Sequence, residues 1–235
     1  MAVAADAPAD ERWEEWRALG DGEVLLPPLP RLGVPGVRLT ATGPRADWAV
    51  RAAGGDAGAG RAPLAVCVVL AGWVARLADL DDQLHHCLET VAHRGVVPLR
   101  DAEHRAAYRQ ELAQRIGHLA RQEPGSPEEL RAALAVDEAL CSVVHLPPAA
   151  PGSWWARVAE ASQRVVLELR RRVRDGGADV AVEVLAPTYR EARRRTGGND
   201  IPLDAGGRQG QVLAGLRLWA RVDGRELPGR VVYRA

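Results

Sequence analysis

The hydrophobic period of the chain changes at Gly176-Gly177, and that change limits what it can fold into. From Leu64 to Asp175 apolar side chains recur every third or fourth position, the spacing of a helix face. Beyond Gly177 they recur every second position: Val180, Val182 and Val184 alternate with Ala181, Glu183 and Leu185, and the run Val212–Arg221 alternates likewise. The two periods predict an α+β chain, with a bundle of about four helices followed by a small antiparallel β-domain. The 235 residues then divide into a Pro/Gly-rich arm and linker over 1–63, the helices over 64–175 and the β-domain over 176–235.

The spacing predicts one long first helix with Leu70, Trp73, Leu77, Leu80, Leu84, Leu88 and Val91 on a stripe, ended by Gly95 and Pro98. Asp101 caps a second helix whose inner face is Tyr108, Leu112, Ile116 and Leu119. Ser126-Pro127-Glu128-Glu129 is a capping box with Pro at the first helical position, starting a third helix that runs to about Val144 before Pro147 and Pro148. Ser153 caps a fourth, where Trp154, Val158, Ala161, Val165, Leu169 and Val173 line up ahead of the glycine pair. In the arm, Glu11–Leu19 suits a short helix, Pro27, Pro28, Pro30 and Pro35 forbid regular structure, Val34–Ala41 suits one edge strand, and Ala52–Gly60 reads as a flexible linker.

Composition excludes several chemistries. All 31 basic residues are Arg, balanced by 31 acidic ones, so the formal net charge is zero. With no Lys there is no Schiff-base lysine and no Walker A lysine. Zero net charge gives no global field toward nucleic acid or an anionic membrane, and neither is expected as a partner. Cys67, Cys87 and Cys141 lack the Cys-x-x-Cys spacing of a zinc or redox site. No signal peptide is apparent, and the apolar run from Leu64 ends at Arg76, short of a membrane span of about 20 residues. A cytoplasmic, cofactor-free chain is the expectation.

Candidate chemistry is sparse. Asp82, His86, Glu89 and His93 fall at i, i+4, i+7 and i+11, so on a continuous helix all four point one way. That is the geometry of metal ligands in a helical-bundle enzyme, and equally that of a solvated face, because they lie opposite Leu77, Leu84 and Leu88. His104 and His118, with Glu111 between them, sit at the edge of the second helix's stripe, as packing residues or a second half-site. Asp137 falls among Leu130, Leu134, Cys141 and Val144; a buried carboxylate there needs a partner, with Arg the natural choice. Thr196–Asp200 suits either a turn or an anion-binding nest. The arginines at 170–174 and 193–195 read as solvated faces. No Ser, Cys or Thr stands in a nucleophile motif, so the residues give no support to an enzyme.

The closing segment carries a motif. Pro187-Thr188-Tyr189-Arg190-Glu191-Ala192 precedes a Gly-rich loop, then Gly210-Gln211-Val212-Leu213, the hairpin turn Val222-Asp223-Gly224-Arg225 and a last strand through Val232. This order, over about Leu169 to Ala235, resembles the end of the GrpE family, nucleotide exchange factors of DnaK-type heat-shock chaperones. The family's Pro-x-x-His-Glu-Ala is matched by Pro187, Glu191 and Ala192, with Arg190 in place of His. Gly210, Val212, Leu213, Gly224, Arg225 and Val232 follow its closing hairpin, with Asp223 where Asn is common. The family's Arg-Pro-Ala before the last strand is here Pro228-Gly229-Arg230, and its long N-terminal paired helix is missing. The resemblance implies a β-wing that contacts a DnaK-type chaperone through Arg190, Glu191, Asp223, Gly224 and Arg225, needs no catalytic residue, and leaves the helices open to homodimer formation. The alternatives are the metal-dependent enzyme and a non-catalytic interaction scaffold.

Overall fold

A computed structural model describes residues 23–26, 37–40, 46–55, 62–79, 81–93, 95–148 and 154–235. The expected helix over Glu11–Leu19, the prolines at 27, 28, 30 and 35, Leu80, Ser153 and residues 56–60 of the linker lie outside the described residues. In the arm, β1 (Glu23–Leu26) pairs antiparallel with β2 (Val37–Thr40), so the expected edge strand has a partner within the arm. Asp47–Ala52 forms a short helix, α1, which buries Ala49. The close approach to Gly117 helps: a Cβ there would lie 3.2 Å from the Ala52 carbonyl oxygen.

Nearly every position of α2 (Ala62–Ala78) is apolar or small, and a helix without a polar face belongs inside. Leu64, Leu70, Trp73 and Leu77 are buried accordingly. The helix stops at Ala78, which corrects the long first helix expected from the sequence. Asp81 turns the chain: its Oδ1 accepts the Gln83 N–H at 2.9 Å, an Asx turn that competes with helical hydrogen bonding. Its Oδ2 lies 3.2 Å from His145 Nε2, with both side chains out of solvent. The next residues form β3 (Leu84–His86), the short α3 (Glu89–Ala92) and β4 (Val97–Pro98). Leu84, in β3, and Leu88, just before α3, nonetheless remain fully buried.

The other long helices follow their sequence signals. In α4 (Ala102–Ala120) the Asp101 carboxylate accepts the backbone N–H groups of Glu103 and His104, and Tyr108, Leu112, Ile116 and Leu119 are buried. At the start of α5 (Pro127–Cys141), Ser126 Oγ accepts the Glu129 N–H at 3.1 Å, while Glu129 reaches back to the Gly125 N–H at 2.7 Å. α5 ends at Cys141, short of Val144, and Val143–His145 becomes β5, which pairs with β3 in the sheet β4-β3-β5. In α6 (Trp154–Asp175) Val158, Ala161, Val165, Leu169 and Val173 are buried, and Gly177 takes a left-handed φ of 98° past its end.

After the glycines come β6 (Val180–Glu183), a single-turn α7 (Tyr189–Ala192), β7 (Ile201–Leu203), β8 (Val212–Arg217), β9 (Trp219–Val222), β10 (Arg225–Leu227) and β11 (Arg230–Arg234). The alternating run Val212–Arg221 is therefore two strands, broken at the buried Leu218. They enter different sheets, ordered β10-β9-β6 and β7-β11-β8, the second with β7 and β11 parallel. Neither sheet takes a strand from before residue 176 among the described residues.

The chain is α+β. One apolar cluster runs from Ala49 through the long helices to Val182, Leu218, Ala220 and Val222, so the first C-terminal sheet lies on the same core as α2 and α6. A smaller cluster joins Cys87 and Val144 beside the middle sheet to Ile201, Leu216 and Val232 of the second C-terminal sheet. No helix among the described residues is long and apolar enough to cross a membrane.

Candidate docking surface

The residues implied as partner contacts separate into two places. At the first, Asp223 and Gly224 have φ of 50° and 74°, both positive as a type I′ turn requires, and join β9 to β10 with Val222 opposite Arg225. The back of this turn is held to the helices: Arg131 Nη2 donates to the Val222 carbonyl at 3.2 Å and lies 3.7 Å from Asp223 Oδ2. Arg225 is exposed and has no ion pair among the described residues. At the other end of β9 Trp219 is buried, with the Arg195 guanidinium 3.9 Å from its ring centroid and its indole N–H donating to Glu226.

The second place is a groove at the end of the sheet β7-β11-β8. Strand β8 begins where the chain crosses Pro187–Tyr189: Thr188 bridges Gln211, the Val212 N–H donates to the Pro187 carbonyl at 2.9 Å, and the Tyr189 N–H donates to Gly210 at 2.8 Å. The rings of Tyr189 and Tyr233 stack 3.6 Å apart and nearly parallel across this junction. Burial, followed by Asp200, pushes the Tyr189 phenol up to about 12, so it stays a neutral hydroxyl. Arg190, Arg193, Arg208 and Arg234 line the resulting space of about 1010 Å³. Arg234 is fixed by Gln211 and by the carbonyls of Ala205 and Gly206. Glu191 is exposed near the groove, and its Oε2 accepts the Thr188 hydroxyl at 2.6 Å.

The acid and histidine stripe does not exist as a helix face, since residues 82–93 pass through a turn, β3 and α3. Asp82 is exposed in the turn, and His93 is exposed with φ of 54° after α3. His86 is fully buried in β3 against the Tyr108 ring, and burial lowers its pKa to about 4, leaving a neutral imidazole. Glu89 accepts from Asn199 Nδ2 at 2.6 Å. No group of three or more His, Cys, Asp or Glu among the described residues is arranged to hold a metal ion. His104 lies 4.0 Å from its neighbour Asp101, Glu111 pairs with Arg115, and His118 is exposed, so these are local contacts on α4.

Asp137 is buried as its neighbours predict, and its partner is not an arginine. Ser162 Oγ donates to Oδ1 at 2.7 Å and Cys141 Sγ lies at 3.5 Å, while burial pushes the carboxyl up to about 7. Cys67, Cys87 and Cys141 are free and buried, and burial raises the thiols of Cys67 and Cys87 to about 12. The Thr196–Asp200 loop is tied by its polar groups to its surroundings: Thr196 donates to Asp200 within the loop, while Asp200 Oδ1 accepts the Val231 N–H at 3.0 Å and Asn199 Nδ2 donates to Glu89.

Sequence reasoning missed a polar seam between the helices and the second C-terminal sheet. Glu138, 6% exposed, accepts from Arg115 at 2.9 Å and from Arg217 at 3.1 Å. Arg115 also donates to Glu111 at 2.8 Å. Arg230 is fully buried, and donates to the Cys87 carbonyl at 2.7 Å and the Asn199 carbonyl at 2.9 Å. Only the position of Glu138, next to Asp137 on the inner side of a helix, hinted at it.

No protein-family model matches the chain, and neither a curated protein nor a solved structure matches it.

Proposed function

We propose that the protein is a GrpE-like cochaperone: its C-terminal β unit docks on a DnaK-type chaperone and promotes nucleotide exchange, with the helices as a bundle-like base. The observation that carries this reading is the joining of the two motif stretches. Pro187–Ala192 and Gly210–Val232, which resemble the family separately in sequence, are hydrogen-bonded neighbours in one unit. The exposed Arg225 at a rigid type I′ turn gives further support, since a guanidinium is permanently charged and planar, and suits an acidic surface. A partner shifts a conformational equilibrium only by its differential affinity, so a wing that prefers the open cleft speeds nucleotide release without any catalytic group.

The reading predicts state-dependent binding. The protein binds nucleotide-free chaperone more tightly than ATP-bound chaperone, and Arg225→Ala weakens the former by about tenfold, the cost of a well-placed charged contact. Equal affinity for both states, measured by calorimetry, contradicts it. Binding that is state-dependent without accelerated ADP release would leave an interaction scaffold in its place.

A further inference from the structure

We propose that the arginine-lined groove between α7, the β7–β8 loop and the end of β11 is a binding site for an acidic peptide segment of a partner protein. The site is separate from the β9–β10 turn, because Asp223, Gly224 and Arg225 do not line it. Four arginines line a space of about 1010 Å³. Three of them, Arg190, Arg193 and Arg208, are exposed and unpaired among the described residues, while Arg234 is anchored to the groove wall. Like charges gathered around one concavity repel unless an anion enters it, and a planar guanidinium grips carboxylate with two parallel hydrogen bonds.

Carboxylate and phosphate would both satisfy the arginines, and the rest of the site favours a peptide. The rings on which a base would stack, Tyr189 and Tyr233, are turned face to face on each other. The formal net charge of zero provides no extended field for a long polyanion. Gln209, exposed at the groove, carries an amide that complements a peptide backbone in donor and acceptor alike, and Gln211, whose Oε1 accepts from Arg234, adds amide donors. The occupant is therefore an extended segment rich in Asp or Glu, held by its carboxylates and read along its backbone.

The test is titration of the whole protein with a fluorescein-labelled oligoglutamate peptide, followed by anisotropy at low and at moderate salt. Binding is expected, weakening as salt screens the exposed charges. The triple variant Arg190→Gln, Arg193→Gln, Arg208→Gln loses about tenfold in affinity, since exposed ion pairs are individually weak and three are removed. Arg225→Ala leaves oligoglutamate binding unchanged, which separates this site from the β9–β10 turn. Arg190→Glu alone, a single exposed substitution, serves as the second variant and also weakens binding. Equal binding by wild type and both groove variants overturns the proposal. So does tighter binding of a single-stranded oligonucleotide of matched charge, or displacement of the peptide by inorganic phosphate at equal concentration.

Discussion

Asp137 shows how one side chain can be half legible. Its apolar neighbours announce a buried carboxylate, but its partner Ser162 sits on another helix, where no local pattern points to it. Burial holds its pKa near 7 against an ordinary 3.8, so between these values the unfolded chain ionises while the folded one stays protonated. Stability from this group is thus full below pH 3.8 and is lost as pH rises through about 7. His86 acts oppositely over nearly the same window: its folded pKa is near 4, so stability is present above its ordinary 6.5 and is lost as pH falls toward 4. The wild-type profile mixes the two trends, and Asp137→Asn separates them. The stability of Asp137→Asn relative to wild type should climb between pH 4 and 7, by up to about 4 kcal/mol at 1.36 kcal/mol per pKa unit. Urea midpoints at several pH values measure it; a difference constant with pH would contradict the assignment.

At the scale of elements, punctuation decided what could be read. Asp101, Ser126-Pro127 and Gly177 all stand where the caps of α4, α5 and α6 stand, because each meets a specific backbone need at a helix end. Gly177 has φ of 98° with nothing within 4 Å of where a Cβ would go, so its requirement is purely conformational. Gly177→Ala should therefore cost about 1 kcal/mol, seen as a lower urea midpoint at unchanged slope. Unchanged stability would mean that the turn relaxes freely. Over residues 81–93 the helical period of the sequence misleads for a physical reason as well. The leucines there fit a helix stripe, while the contact that accompanies the local Asp81–Gln83 turn, Asp81 Oδ2 at 3.2 Å from the distant His145 Nε2, is tertiary. β5 escaped likewise, since Val143–His145 continues the apolar run of α5 and turns aside only because β3 is there to pair with it.

At the scale of the whole molecule, the C-terminal sheets keep their own strands yet rest on the helices through the apolar core and the arginine seam. Period and turn chemistry made the β character of residues 176–235 legible, whereas the split into two sheets depends on Leu218 being drawn into the core. Glu138 is the centre of the seam, holding Arg115 on α4 and Arg217 on β8. Glu138→Gln leaves two poorly solvated guanidinia without their shared carboxylate, so a loss of about 3 kcal/mol is expected in the urea denaturation of the whole chain. A loss under about 1 kcal/mol would mean that the seam is solvated and weak. Apart from the seam, Arg131 of α5 holds the back of the Arg225 turn. The most direct test of the exchange role is the release of fluorescent ADP from a DnaK-type chaperone, followed by stopped flow with and without the protein. Faster release with wild type and loss of that acceleration with Arg225→Ala are expected; a release rate that the wild-type protein leaves unchanged would contradict the role.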